Sequence, residues 1–219
     1  MAVTAVLSNK FKEAVALGKI DVSTDLFTVC LMRTGWAFNK DIHGWRKNIK
    51  GTITGSGNIT WAAATKTATL GAGGFTAAGF VAGNKCTISG TSSNNGTKNI
   101  VTATDTILTF TESCTDESNT SAVITADDEL ATLYGYVQDT KQLASYSGSL
   151  DMSNDWFRAL WATVIWTASG GGIGPTPGAI IYDYTDSDKT IVGYVNFGEE
   201  LTTPMGVDLA LTTPSLQSA

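Results

Sequence analysis

Two glycine-rich stretches, one histidine and a short run of aspartates are the residues of this chain whose types and spacing could do chemistry. A phosphate cradle needs GxxxxGK[ST] or GxGxxG between a strand and a helix, because the helix N-terminus supplies the free amides that hold the anion. In SGGGIGPTPG, residues 169–178, the glycines Gly170, Gly171, Gly172 and Gly174 have neither spacing. Pro175 and Pro177 lack an N–H, and the AIIYDY that follows is β-branched and aromatic rather than helical. The stretch reads as a crossover between strands. GFVAGNKCT, residues 79–87, imitates a Walker A loop, but its spacing is one residue short and Asn84 stands where a glycine should precede Lys85. It reads as a β-turn.

His43 is the single histidine, so a three-histidine zinc site is excluded. No serine sits in a G-x-S-x-G turn, and no catalytic residue or cofactor is expected. Asp183, Asp186 and Asp188 fall within six residues and could offer oxygens to Ca²⁺, although their spacing is not that of an EF-hand. A hairpin turn attracts aspartate anyway, which is the competing reading. Asp127, Asp128 and Glu129 read as solvated charge, as do Arg46, Lys47 and Lys50. Cys30, Cys86 and Cys114 form no CxxC pair, and their odd number fits free thiols in a reducing cytosol. Whether Cys86 and Cys114 lie close together is open. Trp36, Phe38, Trp45, Tyr134 and Tyr136 occupy loop-like segments, where aromatics are either anchors of protein contacts or cover for the edge of a core.

The elements that must carry these residues are mostly strands. Ser8 or Asn9 can cap a short helix with Phe11, Ala14 and Val15 on one face and Gly18 as its terminator. LFTVCLM, residues 26–32, is a strand apolar on both faces, and the residues before Ser8 are free to reach another subunit. Between residues 51 and 125, 18 of 75 residues are threonine and no helical period appears, so the stretch reads as a separate β-module. Its strand candidates are NITWA, KTATL, GFVAG, KCTIS, KNIVTA, TILTFT and SAVIT, separated by turn chemistry. WFRALWATVIWTA follows as a central strand covered on two sides, and TDSDK joins GAIIYDY to TIVGYVNFG as a hairpin. The expected fold is mainly β. An antiparallel β-sandwich core, jelly-roll or immunoglobulin-like, spans residues 1–50 and 126–219, with a small barrel or sandwich inserted at 51–125.

Charge narrows the function. A net charge of −6 without a basic cluster argues against nucleic-acid binding, and no nucleic-acid partner is expected. No apolar run reaches 18 residues and the N-terminus lacks a secretory pattern, so neither a membrane nor secretion is expected. Charged residues are only 16%, against about 25% in an ordinary soluble domain, which suits a subunit whose surface is covered by neighbours.

Three segments resemble a family of tailed-bacteriophage virion proteins. They are VLSNKFKEAVALGKIDVSTDLFTVCLM, ELATLYGYVQDTKQL and VIWTASGGGIGPTPGAIIYDYTDSDKTIVGYVNFGEE, within residues 5–45 and 127–200. Between them, GGFTAAGFVAGNKCTISGTSSNNGTKNIVTATDTILTFTES resembles a β-rich unit that recurs in phage head and tail proteins. The resemblance implies a non-enzymatic capsid decoration or cement protein, made in the host cytoplasm and located on the virion. Its implied partner is the major capsid protein, bound as a homo-oligomer with a trimer favoured. The alternative is a tail or head-fibre component that binds carbohydrate on the host surface.

Overall fold

In the computed structural model, which describes residues 4–55, 58–151, 156–212 and 214–218, the chain divides into two units. Residues 1–35 and 129–219 form the first, residues 36–128 the second. The first opens with β1 (Thr4–Leu7), α1 (Asn9–Ala16) and β2 (Phe27–Leu31). The second holds β3 (Lys50–Thr54), β4 (Ile59–Ala62), β5 (Thr67–Leu70), β6 (Lys85–Ser89), β7 (Gly96–Ala103), β8 (Ile107–Phe110), β9 (Glu117–Asn119) and β10 (Val123–Asp127). The chain returns to the first unit for β11 (Lys141–Gln142), β12 (Ser147–Asp151), β13 (Trp156–Leu160) and β14 (Val164–Thr167). It ends with β15 (Ile173–Asp183), β16 (Ile191–Thr203), β17 (Asp208–Leu211) and β18 (Ser215–Ser218). The architecture is mainly β, an antiparallel β-sandwich core with one short helix and an inserted β-module.

The first unit is centred on a sheet of order β1-β16-β15-β2-β11. Every residue of β2 is buried, and so are the last six of β15 and the first five of β16, as an apolar run covered on two faces requires. Phe27, Val29 and Leu31 pack with Ala179, Ile181, Trp161 and Trp166 in one core. Ser8 caps α1 through its hydroxyl, which accepts the Lys10 amide at 3.2 Å, and Gly18 at φ +65° ends the helix as its position anticipates. Of the segment before Ser8, the described part, Thr4–Leu7, pairs antiparallel with residues 193–196 of its own β16 instead of reaching to another subunit.

Two expectations in this unit are corrected. WFRALWATVIWTA is not one central strand. It breaks after Leu160, where the Trp161 amide donates to Pro214 and the Ala162 amide to Ala144, and the chain passes from the β12-β13-β18 sheet to the β14-β17 ribbon. In β14 only Val164 and Trp166 are buried, so its other face meets solvent. The glycine crossover is shorter than its sequence implies as well. Only Gly170–Gly172 turn; β15 begins at Ile173, and IGPTPG pairs with β16 through register shifts that leave the prolines outside the regular ladder.

The second unit shows the complementary pattern. Its strands form a sheet of order β3-β10-β6-β7-β8-β5-β4-β9, and burial alternates along them. Trp61, Leu70, Ile88, Ile100, Leu108, Phe110 and Ile124 line a single core. GFVAG contributes no strand: Phe80 enters the core, while Val81 and Asn84 close a turn in which the Val81 amide donates to Asn84 Oδ1. Cys86 and Cys114 are both buried, unpaired thiols of this core.

The aromatic loop at 36–50 belongs with this module rather than with the sandwich. Asn48 accepts the Gly44 and Trp45 amides on its Oδ1, and its carbonyl accepts Asn84 Nδ2 at 2.8 Å. Asp128 completes the bond set, accepting Asn84 Nδ2 at 2.6 Å and the Lys85 amide at 3.0 Å while fully buried. Removing a buried acceptor strands its donors. Asp128→Ala is therefore expected to destabilise the second unit by about 2–4 kcal/mol. Amide exchange should accelerate in β6 and β10 and stay unchanged in β15 and β16; uniform acceleration would contradict this bond set.

Candidate functional site

The residues singled out by type do not assemble into one site. His43 is buried among Trp36 and Phe38, its ring centroid 5.0 Å and 5.9 Å from theirs. Its Nδ1 accepts the Asn39 amide at 2.9 Å, so the proton sits on Nε2, which has no hydrogen-bond partner. Burial pushes its pKa down to about 4 and keeps the ring neutral. It is a packing residue. The basic run is likewise not a solvated loop throughout: Arg46 is buried, and Lys47 lies 5.2 Å over the Trp45 ring.

The aspartates build a turn rather than a cation cage. Asp183 Oδ1 accepts the Thr185 and Asp186 amides at 2.7 and 3.0 Å, closing the β15–β16 hairpin as an Asx-turn. Asp186 accepts the Thr190 amide and hydroxyl on Oδ2, while Asp188 is exposed. Against the raising effect of its partial burial, the bonds from Thr190 and from the Asp188 amide hold Asp186 below the ordinary aspartate range. Asp183 is the unusual member. It is fully buried, its Oδ2 has no partner, and desolvation with Asp25 and Asp186 nearby raises its pKa to about 6.

Of the interface candidates, Trp36 and Tyr136 are core residues at 5% and 1% exposure, while Phe38 and Trp45 are half-buried. Tyr134 alone is open, at 42%. It is held at a positive φ of 54° by the loop, and its ring lies on Gly171, where a Cβ would come within 2.5 Å of Cε1. Gly171 is thus small because an aromatic ring lies on it, whereas Gly172 lies against the Thr203 carbonyl. The Ser169 amide donates to Tyr134 O, and the Ala168 and Gly206 amides tie the end of β14 to the turn before β17. Leu133, Tyr134, Val137, Ile165, Met205 and Val207 are all exposed along these linked segments. Sequence reasoning missed the aliphatic members because isolated Leu, Val and Met carry no signal of exposure.

The second unit carries a separate groove of about 610 Å³. Ile42, Trp45, Thr76, Ala77, Phe80 and Val81 give it a mostly apolar lining.

One polar cluster in the first unit went unrecognised. Glu129, read as solvated charge, is only 3% exposed and accepts the Tyr136 hydroxyl at 2.5 Å and the Asp139 amide at 3.1 Å. Tyr136 in turn accepts the Leu31 amide at 3.0 Å; burial first, then Cys30 and Glu129, push its phenol far above the usual tyrosine range. Asp139 accepts the Tyr182 hydroxyl at 2.9 Å and lies 3.5 Å from Cys30 Sγ. Among the described residues, Cys30, Glu129 and Asp139 are the one group of possible metal donors that converges; Asp183, Asp186 and Asp188 do not.

Fold and site together define a mainly β protein of two units, whose buried carboxylates are held by hydrogen bonds. The chain matches no known protein family, and no curated protein or solved structure is significantly similar to it. No helix among the described residues is long and apolar enough to cross a membrane.

Two outcomes follow from these groups. Tyr136→Phe leaves Glu129 and the Leu31 amide without their shared hydroxyl and is expected to cost about 2–3 kcal/mol, read by urea unfolding. For Asp183, the folded-state pKa lies above the unfolded value of about 3.8, so its contribution to stability is fully present below about pH 4 and is lost as pH rises through about 6. Asp183→Asn is expected to raise stability at pH 7.5 by about 1–2 kcal/mol and to flatten the pH profile between 4 and 6.5. An unchanged profile would refute a proton-linked role for this carboxylate.

Proposed function

We propose that the protein is a non-enzymatic structural component of a bacteriophage virion, a capsid decoration protein that binds the major capsid protein and stabilises the shell. One observation carries this reading. Residues 6–32, 129–143 and 164–200, which resemble that family, are far apart in sequence, yet all fall in the first unit and supply β2, β15 and β16 of its central sheet. Residues 73–113, which resemble a module recurring in phage head and tail proteins, fall wholly in the second. Residues 36–45 and 127–128, at the edges of the resembling stretches, fall in the second unit, but the three segments themselves gather into one folded unit, as parts of a shared domain would.

The exposed residues around Tyr134 supply the chemistry of such attachment. Aromatic and methionine side chains are enriched at the centres of protein interfaces, where they are excluded from water on docking. A low share of charge leaves little repulsion between neighbouring copies, which suits a trimer arranged around a symmetry axis of the shell.

The test is addition of the purified protein to capsids that lack it, read by co-sedimentation and by heat resistance of the shell. Stoichiometric binding with a raised disruption temperature is expected. Tyr134→Ala combined with Met205→Ser should weaken binding at least about tenfold with an unchanged melting temperature. Binding to tails or to host-surface glycans, with none to capsids, would overturn the decoration reading in favour of a head-fibre or tail component.

A further inference from the structure

Three donor groups, one thiol and two carboxylates, meet in the first unit. Cys30 Sγ comes from β2, one carboxylate oxygen from Glu129, and another from Asp139 in the loop before β11. All three atoms lie within 4.8 Å of one another. We propose that this cluster is a binding site for a thiophilic divalent cation of the Zn²⁺ class, with Cys30, Glu129 and Asp139 as its protein ligands. The proposal is independent of the virion reading.

Geometry is the first argument. A Zn–S bond of about 2.3 Å and a Zn–O bond of about 2.1 Å at a tetrahedral angle place sulfur and oxygen about 3.6 Å apart. Cys30 Sγ and Asp139 Oδ1 are separated by 3.5 Å, and residues 109 positions apart in the chain supply them. The third donor lies within 4.8 Å of both, which leaves one tetrahedral position for solvent.

The surrounding groups are the second argument. Ligating carboxylates in metal sites are oriented by outer donors, which fix the oxygen offered to the ion. Here Tyr182 donates its hydroxyl to Asp139 Oδ1, and the Tyr136 hydroxyl and Asp139 amide both donate to Glu129 Oε1. Tyr136 is itself held by the Leu31 amide, next to Cys30 in the sequence. Two tyrosines and the Asp139 amide thus hold the carboxylates, and the Leu31 amide holds Tyr136 in turn.

Donor type decides the ion. A thiolate is a poor ligand for Ca²⁺ or Mg²⁺, and one sulfur with two oxygens suits a borderline cation such as Zn²⁺ or its spectroscopic substitute Co²⁺. Binding displaces the Cys30 thiol proton to solvent, and the cation offsets the negative charge gathered on the buried Cys30 and Glu129 and on the more open Asp139.

Titration of the full-length protein with Co²⁺ tests this directly. One equivalent should bind per chain with a thiolate-to-cobalt charge-transfer absorption, which Cys30→Ser abolishes and Cys86→Ser or Cys114→Ser leaves intact. Zn²⁺ at about a hundredfold excess over its Kd should raise the melting temperature by about 5 °C, reversed by EDTA. Asp139→Asn, which keeps an oxygen for Tyr182, should fold as judged by circular dichroism and lower the affinity at least tenfold. If Cys30→Ser fails to fold, the wild-type spectrum and Asp139→Asn still decide. No charge-transfer band in the wild type, or a band that survives Cys30→Ser, overturns the proposal and leaves a purely hydrogen-bonded cluster.

Discussion

A carboxylate withdrawn from water must be met by donors, and both units of this protein are arranged around that requirement. Asp128 and Glu129 are consecutive and both buried, but they serve different units. Asp128 accepts from Asn84 and from the Lys85 amide, and Asn84 also donates to the Asn48 carbonyl, so the start and end of the inserted module are held through one asparagine. Glu129 accepts from Tyr136 and Asp139, so the segment re-entering the sandwich is tied down within ten residues. Successive side chains of extended backbone point in opposite directions, which lets two adjacent acids satisfy two separate networks. Hydrogen bonds to a charged group contribute about 1.5–3 kcal/mol each, enough to keep such residues buried only when every donor is in place.

The two units bury their strands differently, and their surfaces differ accordingly. In the first, the centre of the main sheet is covered on both faces, which leaves its exposed apolar side chains on loops and on the one-sided β14-β17 ribbon. In the second, burial alternates along most strands, and threonines recur on the open face beside Asn99, Val101 and Ile107. β-branched threonine keeps a strand extended while hydrating its outer surface. The module therefore presents a polar surface with one apolar groove, whereas the sandwich presents the cluster around Tyr134. The proposed attachment role draws on the cluster around Tyr134.

Much of the fold was legible in the residues. Alternation in KCTIS and KTATL, the continuous apolar run of FTVCL, the Ser8 cap and the aspartate turn of the long hairpin each act within a few positions, and each formed as its local chemistry requires. The break after Leu160 was not legible. The amides of Trp161 and Ala162 find acceptors at Pro214 and Ala144, and no local pattern announces partners so distant. The same holds for the candidate site. Tyr134 and Tyr136 are two residues apart in one loop, yet one is open and the other is buried against Leu31 and Glu129.

By itself the sequence determined the β class, the single helix, the position of the hairpin and the presence of an inserted module, because periodicity, capping and turn chemistry depend on near neighbours. It also favoured a strand crossover over a phosphate loop at the glycine run, since prolines replace the amides that anion binding needs. Only the tertiary structure decided which charges are buried, which aromatics face solvent, and that Cys30, Glu129 and Asp139 meet. Those outcomes depend on burial and on partners more than a hundred residues away. No local pattern encodes them, because desolvation acts on the environment the whole chain creates.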